Sequence, residues 1–210
     1  MTDDIARLIG AVTREVRTET YEGKDAKVVV ASRVYDTSVK DLWDAITNAE
    51  RLPRWFAPVT GELMLGGKYQ VQGNASGTIT RCEPPRELAM TWEFAGAVSW
   101  VEVSLREAGE GAHLQLRHIA HPEEHWDKYG PGAVGVGWEL GLMGLDRHLA
   151  NPGAAKPPEA DEAWFASVEA KQFIRASAQA WGKADIAGGA DQAHATASAE
   201  STRKSYCGEP

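Results

Sequence analysis

Between Gly61 and Ile119 turn residues break the chain into short alternating segments, and one long apolar pattern follows from Ala133 to Leu149. The segments recur at roughly 10-residue intervals, too closely for crossover helices, so they pair as an antiparallel sheet. A sheet with one apolar face has to bury it against another layer. The long helix is the expected cover, and a curved sheet wrapped around one helix makes a container. The class is α+β.

Strands are expected near Gly61–Leu65, Lys68–Gln72, Gly77–Glu83, Leu88–Phe94, Ser99–Arg106 and His113–Ile119. Period-2 alternation gives their faces. Leu88, Met90, Trp92 and Phe94 share one. Val101, Val103 and Leu105 share another, opposed by Trp100, Glu102 and Ser104. Leu114, Leu116 and His118 share a third, opposed by His113, Gln115 and Arg117. Pro84-Pro85 fixes a turn and removes two ladder donors. Tyr129-Gly130-Pro131-Gly132 reads as a loop before the helix. Val134, Trp138, Gly141, Leu142, Leu145 and Leu149 lie on one side of that helix, with Val136, Leu140, Met143 and Arg147 on the other. A helix this apolar all round is buried on more than one side. Its glycines at 135, 137, 141 and 144 each oppose helix formation by up to about 1 kcal/mol. They allow close backbone approach or leave room for something else.

Upstream, Ile5, Leu8, Ile9 and Val12 fall on one side of a short helix over Asp3–Val12. Arg14–Tyr21 alternates charged residues around Val16, the pattern of a polar edge strand. A turn at Glu22-Gly23-Lys24-Asp25 leads to a β-branched strand over Lys27–Asp36, so the two strands are candidates for a hairpin. Thr37 or Ser38 caps the next helix, whose Val39, Leu42, Trp43 and Ile46 follow the i, i+3, i+4, i+7 pattern. Asn48 caps a second, shorter helix with Leu52, Trp55 and Phe56 on its buried side, and Pro53 either limits its length or sits in its first turns. Downstream, 151–158 reads as a Pro/Gly/Ala linker. Asp161 to about Lys183 reads as a helix covering the back of the long one, with Trp164, Phe165, Val168, Phe173, Ile174 and Trp181. The Ala/Ser-rich tail 184–210 is either a marginal helix over Asp191–Lys204 or disordered. The expected divisions are 1–26, 27–150, 151–183 and 184–210.

Composition narrows the partners. A net charge of −8 argues against nucleic acid and anionic membrane surfaces. No run of about 18 apolar residues is present, so no membrane partner is expected. Met1-Thr2-Asp3-Asp4 carries acids where a signal peptide would be basic. Cys82 and Cys207 stand far apart in no metal or disulfide pattern. These features fit a cytoplasmic protein.

Val39-Lys40-Asp41-Leu42-Trp43-Asp44-Ala45-Ile46-Thr47, Pro53-Arg54-Trp55-Phe56, Gly66-Gly67-Lys68-Tyr69 and the block from Gly77-Thr78 to Thr91-Trp92, with its Glu83-Pro84-Pro85-Arg86, resemble a known family. They look like the SRPBCC (START/Bet v 1-like) superfamily, in the AHSA1-like branch named for the activator of Hsp90 ATPase. The resemblance covers about Lys27 to Leu149. It implies the helix-grip fold: a curved antiparallel sheet around a long C-terminal helix, with two short helices after the first strand. The chain departs from it by an N-terminal extension, a glycine-rich 130–137 segment and about 60 residues of C-terminal helical extension.

Three kinds of chemistry compete. In the first, Met90, Trp92, Leu114, Leu116 and His118 of the sheet face Trp138, Leu142 and Leu145 across an apolar cavity, with Trp55 and Phe56 guarding one mouth. The bland alternative is a filled core. In the second, His118, or Glu102 or Glu93, serves as a cavity acid or base in a cyclase-, dehydratase- or hydrolase-like enzyme. Against it, a buried histidine is also satisfied by ordinary hydrogen bonds, and Glu93 and Glu102 alternate with the apolar face. In the third, the chain is an interaction module for a chaperone or regulator, as the family name implies. His118, His121, Glu123, Glu124 and His125 carry metal-ligand chemistry but no known ligand spacing, so no metal and no cofactor is expected. The expected partner is a small hydrophobic molecule. A protein partner is not specified.

Overall fold

The structure is a computed structural model that describes residues 3–154 and 162–210. The linker expected at 151–158 and the start of the helix expected from Asp161 lie partly outside the described residues.

Helix α1 (Asp3–Gly10) leads into strands β1 (Thr13–Tyr21) and β2 (Lys24–Tyr35). Glu22 and Gly23 both have positive φ, 49° and 77°, which makes the two-residue turn of a tight hairpin. Helix α2 (Val39–Thr47) starts where Ser38 Oγ accepts the Asp41 N–H. A 3-10 turn, Leu52–Arg54, follows with Pro53 in its first turn. The sheet continues as β3 (Val59–Gly61), β4 (Lys68–Val71), β5 (Ser76–Glu83), β6 (Glu87–Phe94), β7 (Ala97–Ala108) and β8 (Gly111–Ala120). All eight strands form one antiparallel, curved and unclosed sheet in the order β1-β2-β8-β7-β6-β5-β4-β3. The fold is α+β with helix-grip architecture.

Helix α3 (Glu124–Tyr129) and the long α4 (Gly132–Ala150) come next, then α5 (Glu162–Phe165), α6 (Val168–Ala187) and α7 (Gln192–Tyr206). Helix α4 lies against the inner face of the sheet. Its Val136, Leu142 and Leu145 join Val29, Ala31, Val101, Leu114 and Leu116 in the main core. Its back is covered by α6, whose fully buried Trp181 lies over Gly135 so closely that a Cβ there would clash with the indole. A second cluster, Ile5, Leu8, Met143, Trp164 and Phe173, joins α1 to α4, α5 and α6. The other face of the sheet carries a small cluster of Val28, Val30 and Ile119 with Tyr21 and Trp100 packed against it.

Several boundaries differ from the sequence reading. The strand expected at Gly61–Leu65 is displaced to Val59–Gly61, because 62–67 turns a corner in which the Gly67 N–H bonds Met64 O. Helix α3 was not expected at all. The helix expected from Asp161 divides at Ser167, which caps α6 by accepting the Ala170 N–H. The tail forms an ordered helix, α7, capped by Asp191.

Candidate functional site

The inner face of the sheet and α4 do not meet everywhere. They enclose a cavity of about 300 Å³, the first chamber. Met90 and Trp92 of β6, Leu114 and Leu116 of β8, and Trp138, Leu142 and Leu145 of α4 all line it. Trp55 and Phe56 line it too, beside Trp43, Ile46 and Thr47 of α2. Nine of the ten side chains expected in the cavity therefore meet there, and His118 is displaced from it.

Local bonding explains why those aromatics sit where they do. Arg51 donates to Asp41 Oδ1 at 2.8 Å and to Asp44 Oδ2 at 2.9 Å, pinning the segment after α2 back onto that helix. Trp55 Nε1 donates to Ala45 O at 3.0 Å. The backbone of Trp55 passes so near Gly144 that any side chain at 144 would collide with its carbonyl. Gly141, one turn earlier, faces the chamber. A Cβ there would meet Phe56 at 3.7 Å, an ordinary contact.

Polar groups on the chamber wall are turned into the backbone. Tyr69 OH donates to Thr91 O at 2.7 Å, and Thr47 Oγ1 donates to Trp43 O at 2.7 Å. Burial pushes the Tyr69 phenol above its ordinary range. Cys82, on β5, is a free thiol in the lining.

His118 stands in a wall. Trp138 Nε1 donates to its Nδ1 at 3.0 Å. An indole N–H can only donate, so the ring is the tautomer protonated at Nε2. That Nε2–H then donates to Ser99 Oγ at 3.0 Å, and Ser99 Oγ donates to Trp92 O at 3.1 Å. The ring is 4% exposed, and burial lowers its pKa to about 4, so it is neutral at pH 7. Both nitrogens are engaged.

Behind this wall lies a second chamber of about 650 Å³. Phe56, Trp92 and Trp138 line both chambers. Trp92 and Trp138 lie 5.0 Å apart with rings tilted by 58°, and Phe56 stacks on Trp138 at 6.4 Å. Lys27, His118, His121, Ser99 and Tyr206 are among the polar side chains around the second chamber. Ser99 shares the strand parity of Val101, so alternation could have placed it. Lys27 and Tyr206 had no such signal, because they come from opposite ends of the chain.

The remaining candidates are dispersed. Glu102 is on the opposite face of the sheet, accepting from Arg117 at 2.6 Å. Glu93 is exposed and accepts from Thr91 Oγ1 at 3.0 Å. His121 Nδ1 donates to Asp25 O at 3.0 Å, and His125 sits on α3 with its ring 4.8 Å from Tyr129. Glu123 and Glu124 are exposed. Among the described residues no group of three or more His, Cys, Asp or Glu is placed to hold a metal ion. None of their helices is long and apolar enough to cross a membrane.

Residues 36–150 match the family described as Activator of Hsp90 ATPase homolog 1-like protein. The chain belongs to this family. Its AHSA1-like motifs build the sheet: the Gly66 N–H bonds Ile79 O at 2.8 Å, the Ile79 N–H bonds Gly67 O at 2.9 Å, and Thr91 Oγ1 accepts the Thr78 N–H at 2.9 Å. Among solved structures, CalU16 from Micromonospora echinospora is similar in its crystal form, at 32% identity and a TM-score of 0.67 over 83% of this chain and 98% of that one. Its solution structure gives 33% and 0.69 over 85% and 97%. PFC0360w, an HSP90 activator from Plasmodium falciparum, shares 21% identity over 59% of this chain and 96% of its own, with a TM-score of 0.52. At that identity the likeness concerns the fold alone. No curated protein matches the chain. The AHSA1-like fold makes this a ligand-binding or interaction module in general terms.

Proposed function

We propose that this AHSA1-like protein binds a small hydrophobic molecule in the first chamber, between sheet and long helix. The observation that carries the reading is the wall: nine converging apolar or aromatic side chains around about 300 Å³, with the nearby hydroxyls turned into backbone carbonyls. That volume is at the lower end of ordinary small-molecule sites, about 300–1,000 Å³, and such sites are mostly apolar. Space of this kind costs stability when empty, and a bound apolar body restores the lost contacts. His118 supports the reading as a positioning residue. With both ring nitrogens engaged it holds Trp92 and Trp138 in place.

The test uses N-phenyl-1-naphthylamine, a neutral probe that fluoresces on apolar burial. Wild-type protein is expected to bind it with a blue-shifted emission, and Gly141→Leu, which projects a side chain into the chamber, to lose at least tenfold in affinity while keeping its circular dichroism. No binding to wild type, or equal binding to the variant, sinks the reading.

A further inference from the structure

The second chamber differs from the first in carrying charged side chains and histidines. It contains a cation. Lys27 is on β2, two residues from Val29 and on the same inner face of the sheet, and it is half-buried. Its ammonium donates to Thr18 Oγ1 at 3.0 Å and lies 5.9 Å from the centre of the Trp126 ring. It takes part in no ion pair among the described residues, although the chain carries a net charge of −8. The buried carboxyl of Asp185 lies within its field without pairing to it. Glu123 and His125 are also on the chamber lining, but both are exposed. The side chain is half-buried but the ammonium's hydrogen bond is exposed, and with a hydroxyl and a ring for neighbours it retains capacity to bind an anion.

The chamber is built partly by residues outside the family match at 36–150. Lys27 precedes that match. Tyr206, also on the lining, follows it at the end of α7, and its OH donates to Ala133 O at 2.8 Å to fix α7 against the start of α4. Ser198 and Thr202 of α7 bond the backbone of α3 and the residue ending it, at Asp127 O and Tyr129 O. Residues on either side of the 36–150 match thus contribute the cation and part of the chamber wall.

We propose that the second chamber is an anion-accepting subsite, and that the protein's ligand is an amphipathic acid. Its apolar body occupies the first chamber and its acidic group reaches past Phe56 and Trp92 to Lys27. This rests on the proposed function of the first chamber and adds the chemical class of the ligand. The acidic group is a carboxylate, sulfonate or phosphate ester. What selects it is negative charge on an otherwise apolar molecule.

A matched pair of probes tests this. 1-Anilinonaphthalene-8-sulfonate has the same anilinonaphthalene body as N-phenyl-1-naphthylamine plus one sulfonate. With full-length protein at low salt, Lys27→Met is expected to weaken the sulfonate about tenfold and leave the neutral probe unchanged. Lys27→Arg is expected to retain the sulfonate affinity. Added salt should weaken the sulfonate alone. If Lys27→Met affects both probes equally, or neither, the anion subsite is overturned while the apolar chamber stands on the neutral probe. If wild type binds neither probe, both readings fall. Thermal melting of each variant separates lost binding from lost fold, and Lys27→Arg keeps the test valid if Lys27→Met is unstable.

Discussion

His118 shows how one side chain can be legible in place and illegible in role. Alternation along β8 put it on the inner face, and it is there. Its partners come from α4 and β7, 20 and 19 residues away in sequence, and no local pattern could announce them. The consequence is a pH dependence with a definite sign. The ring's pKa is about 4 in the folded chain against 6.5 ordinarily. The unfolded chain therefore takes up the proton first as pH falls. The contribution of the neutral ring is whole above about pH 6.5 and is lost progressively toward pH 4. It amounts to at most roughly 3 kcal/mol. His113 and His148 are shifted the same way, with desolvation the largest cause in each, so the measurement has to be a comparison. A glutamine at 118 can still accept from Trp138 and donate to Ser99. Urea unfolding at pH 7.5 and pH 5 should show a clearly smaller loss for His118→Gln than for wild type. Equal losses would remove His118 as the source.

At the scale of elements, large apolar residues were the readable signal and small ones were not. The strands followed alternation to within a residue or two, apart from β3 and from β2, which starts three residues earlier than expected. Helix α7 could not be decided from sequence because its buried residues are Ala195, Ser198 and Thr202. It packs on α6 at Gly182, where a Cβ would meet Ala199 at 3.0 Å. Close approach between small residues supplies contact area without a hydrophobic pattern. The glycines of α4 were equally ambiguous. Gly135 and Gly144 sit under Trp181 and against the Trp55 carbonyl, whereas a Cβ at Gly141 would make only ordinary contacts with Phe56 and Trp55. The same substitution should therefore have opposite signs. Gly141→Ala is expected to raise stability by up to about 1 kcal/mol through helix propensity. Gly135→Ala is expected to lower it by roughly 1–3 kcal/mol through overpacking. Melting temperatures that move in the same direction for both would contradict this division. Helix α3 has no sequence signal because six residues are too few for a period.

Across the whole molecule, the first two strands and the long helix are joined by ion pairs with buried members. Arg14 of β1 forms a two-pronged bridge to Glu139 of α4, at 2.6 and 2.7 Å, and also donates to the carbonyls of Ile9 and Val12. Glu139 is 1% exposed. Arg33 of β2 pairs with Asp146 one helical stretch further on. Together they fix the rotation of α4, which decides what its chamber side presents. Removing one partner strands a buried charge, so Arg14→Met should cost roughly 3–5 kcal/mol. Arg14→Met combined with Glu139→Leu should recover most of that in denaturant unfolding. A single variant with near wild-type stability would show that the pair does not hold the helix. The wall between the chambers has a further consequence. It starts at an indole that cannot accept and ends at a carbonyl that cannot donate, so it conducts no proton in either direction. On the first chamber's lining the Tyr69 and Thr47 hydroxyls are likewise committed to carbonyls.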